Sequence, residues 1–68
     1  MNTTDIWFAS WLQVKGYLLE DFSVISRGKG RYTFAISEEE WKSEKLSFSN
    51  SEVSKVKTSF SGLKDLLY

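Results

Sequence analysis

Arg31-Tyr32-Thr33-Phe34-Ala35-Ile36-Ser37 alternates along its whole length. Tyr32, Phe34 and Ile36 fall on one face of an extended chain, and Arg31, Thr33, Ala35 and Ser37 on the other. That period of two is what a half-buried strand requires. Upstream, Tyr17–Arg27 reads as its partner, folded back at Gly28-Lys29-Gly30. A three-residue loop there pairs Arg27 with Arg31, Val24 with Phe34 and Phe22 with Ile36, setting apolar side chains opposite each other. A glycine supplies the positive φ that such a loop needs. A slip by one residue sets Ser23 against Phe34 and Asp21 against Ile36, and is rejected.

The rest of the chain reads as helix that covers this ribbon. Thr3 and Thr4 offer hydroxyl caps ahead of Asp5 and a dense apolar run, and Lys15-Gly16 is a helix stop. On a helical wheel Trp7, Phe8, Ala9, Trp11, Leu12 and Val14 cover more than half the circumference, whereas one core-facing stripe needs only a little over ~100°. Ser37 and Glu40 form an S-x-x-E capping box, and Glu38, Glu39 and Glu40 load the positive end of a second helix. Its apolar content is thin, so it is expected to fray near Leu46. A third helix starts from Ser49-Asn50-Ser51, with Ser49 and Glu52 as its capping box. Val53, Val56, Phe60, Leu63 and Leu67 then recur at spacings of three and four, a seam of a-and-d type. The seam counts as evidence for a protein-binding face, but the plainer reading of it is monomer core. Gly62 inside this helix points to close approach of another backbone. The expected fold class is therefore α+β in the order α-β-β-α-α, a two-stranded antiparallel hairpin packed against helices.

Composition narrows function by exclusion. The 68 residues make one small domain, residues 1–68, of a size that usually needs a staple. Without Cys or His there are no disulfides, no nucleophilic thiol and no imidazole base, and the usual zinc, iron and copper sites have no ligands. No cofactor, no metal and no small-molecule substrate is expected, and the protein is read as not an enzyme. The remaining staple is oligomerisation, for which eleven aromatics provide apolar surface. Nine basic and nine acidic residues cancel, so no general field drives nucleic-acid or membrane binding. No stretch nears the ~20 apolar residues that span a bilayer, and no signal peptide is evident. A cytoplasmic protein is expected.

Two constellations are candidate sites. Trp7, Phe8 and Trp11 belong to the surplus apolar arc of the first helix; tryptophan is enriched at interface hot spots because it buries a large rigid area. They point to a protein-binding module, with a homodimer the simplest case. Against that stands the reading that they form the monomer core. Arg27, Lys29 and Arg31 concentrate positive charge at the hairpin tip, with Arg27 and Arg31 expected side by side and Lys29 at the apex. A β-ribbon carrying three cations is the alternative, a nucleic-acid-binding device. The plainer account is that like charges at a turn keep a ribbon from pairing at its edge.

Three segments resemble a small family of uncharacterised domains common in bacteriophages, aquatic ones especially. They are Thr3-Thr4-Asp5…Ala9-Ser10…Leu12…Gly16-Tyr17, Tyr32-Thr33-Phe34, and Phe48-Ser49-Asn50-Ser51-Glu52…Leu63-Lys64-Asp65-Leu66-Leu67-Tyr68. The resemblance implies a phage or prophage setting, hence host cytoplasm or virion, and a host or phage protein as partner. It brings no catalytic residues.

Overall fold

The computed structural model describes residues 1–67, the side chain of Leu67 excepted. The order is β1 (Asn2–Thr3), α1 (Ile6–Val14), β2 (Leu19–Ser26), β3 (Lys29–Phe34), α2 (Glu38–Ser49) and α3 (Glu52–Leu67). This is the expected α+β class with one strand more. The alternating segment is the central strand of a three-stranded antiparallel sheet ordered β1-β3-β2. Asn2 pairs with Thr33 and Thr3 with Tyr32, and the Phe34 amide donates to the Met1 carbonyl at 2.9 Å. Phe34 is buried against the helices, with Tyr32 and Ile36 half-buried beside it.

The hairpin register differs from the expected one by four residues. Phe22 lies opposite Tyr32, Val24 opposite Gly30 and Leu19 opposite Phe34, and Ser26 faces Lys29 across a turn made by Arg27 and Gly28. Gly28 takes the positive φ, +75°. Gly30 is fitted to this register by a close approach. A Cβ there would lie 2.4 Å from Cε2 of Phe22, whose ring occupies the space and sits 5.3 Å from that of Tyr32. Irregularities between Leu19 and Asp21, and between Val24 and Ser26, let the strands keep pairing on both sides of this contact.

Helix α1 is capped by Asp5, not by Thr3 or Thr4. The Asp5 carboxylate accepts from the Trp7 and Phe8 amides at 2.9 and 3.3 Å. Thr3 is instead buried in β1, where its hydroxyl oxygen accepts from the Asp5 amide at 3.1 Å. At the other end the Tyr17 amide donates to the Leu12 carbonyl and the Gly16 amide to that of Gln13. With Gly16 at φ +98°, this is a Schellman stop. Helix α2 begins as expected, with the Ser37 hydroxyl oxygen accepting from the Glu40 amide at 3.1 Å.

Helix α2 does not fray at Leu46; it runs to Ser49 because Phe48, two turns after Trp41, is buried with it. The Phe8 ring stands 5.1 Å from Trp41 and 5.3 Å from Phe48, and Lys45 extends its ammonium over Phe8 at 5.4 Å. Ser49 closes α2 by donating to the Lys45 carbonyl, and Ser51 takes the capping role expected of Ser49, accepting from the Ser54 amide at 3.3 Å. The core is small: Phe8, Ala9, Leu12, Phe34, Trp41 and Phe48 are its buried apolar members. The molecule is thin for its mass. Its extents are 38 × 28 × 16 Å and its radius of gyration 12.9 Å, against about 11 Å for a compact chain of this length.

Candidate protein-docking surface

The candidate surface is the side of α1 turned from the sheet, together with the exposed flank of α3. Asp5 connects the two helices. One of its carboxylate oxygens caps α1, and the other accepts from the Lys57 ammonium of α3. Burial by itself would raise the Asp5 carboxyl; the Lys57 ammonium and the two amide donors outweigh it and hold the group below its ordinary value of 3.8. Three residues further on, the Phe60 ring meets Trp7 edge-on at 5.7 Å. Val53, near the start of α3, shares a cleft with Trp11 and Val14 near the end of α1. Helix α3 therefore runs back along α1, in contact at Val53, Lys57 and Phe60.

This cleft has a volume of about 360 Å³ and is lined by Trp7, Ser10, Trp11, Val14, Lys15 and Val53. Its walls are almost wholly apolar. The Lys15 ammonium covers one face of Trp11 at 4.9 Å. The Trp11 indole nitrogen is buried and has no hydrogen-bond partner among the described residues, an arrangement that costs on the order of 1–3 kcal/mol.

The three aromatic candidates of α1 separate here. Trp7 and Trp11 are half-buried and line the cleft. Phe8 is 2% exposed, enclosed by Trp41 and Phe48, so it supports the surface from beneath and is no contact anchor in the folded chain. The wheel shows a surplus of apolar residues but not which of three adjacent positions the sheet will cover. The α3 seam, for which monomer core is the plainer expectation, lies at the surface instead. Val56, Phe60 and Leu63 are all exposed, and Leu66 beside them is 82% exposed; the side chain of Leu67 lies outside the described residues. Phe60 is the furthest of the three α3 contacts with α1 described above, and Leu63 and Leu66 beyond it are exposed. The close approach expected at Gly62 is not made: a Cβ there would meet nothing within 4 Å.

The basic tip is assembled differently from its expected form. Arg27 stands in the turn, Lys29 faces Ser26 and Arg31 faces Ser23, so Arg27 and Arg31 are not side by side. All three are exposed, and none forms an ion pair among the described residues. No helix among the described residues is long and apolar enough to cross a membrane. No family model, curated protein or solved structure matches this chain.

Proposed function

We propose that the chain is a non-enzymatic accessory module that works by binding protein through the α1–α3 face. One observation carries the reading: the Trp7–Trp11 cleft and the Val56–Phe60–Leu63 flank lie side by side, apolar and uncovered by the chain's own elements. Apolar surface of that kind, centred on tryptophan and rimmed by polar side chains, marks an interaction site. On this reading, with the phage resemblance as its support, the partner is a phage or host protein met in host cytoplasm or virion.

Acrylamide quenching of indole fluorescence tests the face. Trp41 is buried, so Trp7 and Trp11 supply the quenchable signal in dilute solution. In any complex the protein forms, the reading expects that signal to be shielded. A complex that leaves both indoles as accessible as before contradicts it.

A second reading rests on the three unpaired cations of the ribbon tip, whose phosphate contacts would make retention on heparin depend on salt. Replacing Arg27, Lys29 and Arg31 by Gln abolishes that retention if the tip binds polyanions. Flow-through of the unaltered chain at low salt contradicts this reading.

A further inference from the structure

Exposed apolar residues fall in groups of three or more on β2 and on α3, with Met1, Ile6, Val14, Leu18 and Leu46 exposed elsewhere, and the two groups differ in how open they are to a partner. Edge strand β2 exposes Phe22, Val24 and Ile25, but its pairing edge is guarded. The strand is irregular at both ends, and the Asp21 carboxylate accepts from the Phe22 amide at 2.9 Å, occupying a donor that an added strand would use. The flank of α3 carries no such guard. Val53, Val56, Phe60 and Leu63 follow a heptad spacing, the pattern with which one helix packs lengthwise on another. Among the described residues Val53 and Phe60 meet α1, while Val56 and Leu63 are exposed.

Resting on the docking reading above, we propose that the occupant of this face is a second copy of the chain, its α3 laid antiparallel to the first about a two-fold axis at the level of Thr58. Three observations support self-association over a foreign helix. The first is register. A two-fold contact must be self-complementary, and an axis at Thr58 sets Val53 against the second copy's Leu63 and Val56 against its Phe60. Val53, Val56, Phe60 and Leu63 then each meet another of the four; Leu67, whose side chain lies outside the described residues, has no part in this register. The second is position. Leu63 is exposed beyond the Phe60–Trp7 contact, and this axis would bring it to the mouth of the second copy's Val53–Trp11 cleft. The third is area. A compact monomer of 7.9 kDa exposes about 4,400 Å², and this chain exposes 5162 Å². The surplus is close to the ~800 Å² that each partner contributes to a standard interface. The ribbon adds to that surplus, but its edge is the guarded one.

The chain has no cysteine, so a single introduced thiol reports geometry cleanly. Ser59 borders the seam near the proposed axis, and Ser23 lies on β2, away from it. A short bis-maleimide is expected to join two Ser59→Cys chains and not two Ser23→Cys chains. Leu63 is exposed and lies beyond the α1 contact, so Leu63→Glu is expected to leave the circular dichroism unchanged. The same change buries a carboxylate in the dimer and should raise its dissociation constant about tenfold or more. A monomer at every concentration overturns the second copy while leaving the docking face to the quenching experiment. A dimer joined through Ser23 and indifferent to Leu63→Glu overturns both.

Discussion

Helices α2 and α3 are neighbours in the chain, yet their sequences and their surroundings point opposite ways. Helix α2 is polar and weakly patterned, but it is held by two buried aromatics, Trp41 and Phe48, that close over Phe8. Helix α3 has the cleanest apolar seam in the protein, and none of its described side chains is buried. The contrast separates two things an amphipathic pattern says. A stripe establishes that a helix has a partner; it does not establish that the partner belongs to the same chain. In α2 a few large side chains reaching a common centre suffice. In α3 the seam is long and narrow, suited to another helix lying along it, and Val56 and Leu63 on it are exposed.

The sharpest way to break that contrast is to truncate one side chain on each helix. Phe48→Ala removes a ring that packs on Phe8 and Trp11 and should cost about 3–5 kcal/mol in urea unfolding. Leu63→Ala, in dilute solution, should stay within about 0.5 kcal/mol of the parent. Equal losses would place α3 in the monomer core and end the comparison.

Asp5 joins the two halves of the α1–α3 face and yields the next largest effect. Asp5→Ala removes a helix cap and the Lys57 contact together, for an expected loss of about 1–2 kcal/mol. The folded carboxyl lies below its ordinary value of 3.8, so its contribution is present above that value and is lost as pH falls through the folded pKa. Acid should therefore loosen α3 before α2, followed by amide exchange residue by residue. Asp5→Asn keeps a cap and discards the charge; in that variant the acid-dependent step should vanish.

Smaller effects sharpen the picture at each end of the molecule. Gly30→Ala must displace the Phe22 ring from its place over the strand and loosen its packing on Tyr32. The loss should be about 1 kcal/mol in thermal unfolding, with a change in the near-ultraviolet aromatic signal. Gly62→Ala has open space to fill within an exposed helix and should stabilise by roughly 0.5–1 kcal/mol.

Where the local signals were strong, the fold could be read from the residues. The alternation of Tyr32, Phe34 and Ile36 identified the central strand, Gly16 the end of α1 and Ser37 the start of α2. Strand β1 escaped because two residues carry no period. The hairpin register escaped because the turn is the two residues Arg27 and Gly28 and not Gly28-Lys29-Gly30, which moves the pairing by three, and the irregularity beside Ile25 adds the fourth. Helix α2 was read too short because Glu44 and Lys45 occupy the turn between Trp41 and Phe48 and look like solvent. Lys45 in fact sets its ammonium over the Phe8 and Trp41 rings, at 5.4 and 5.8 Å. Of the candidate site, Trp7 and Trp11 were legible as surplus apolar surface. The α3 seam was visible too, but its place at the surface depends on where α1 ends, which no local pattern records.

Amide hydrogen exchange of α2 and α3, followed at low and high protein concentration, tests the open face and its occupant in one measurement. If a second copy covers the seam, the amides from Val56 to Leu66 should exchange markedly more slowly at high concentration while those of α2 stay the same. Equal exchange of α3 at both concentrations, across the range where solution mass is measured, would contradict the proposal that another copy of this chain completes the helix layer.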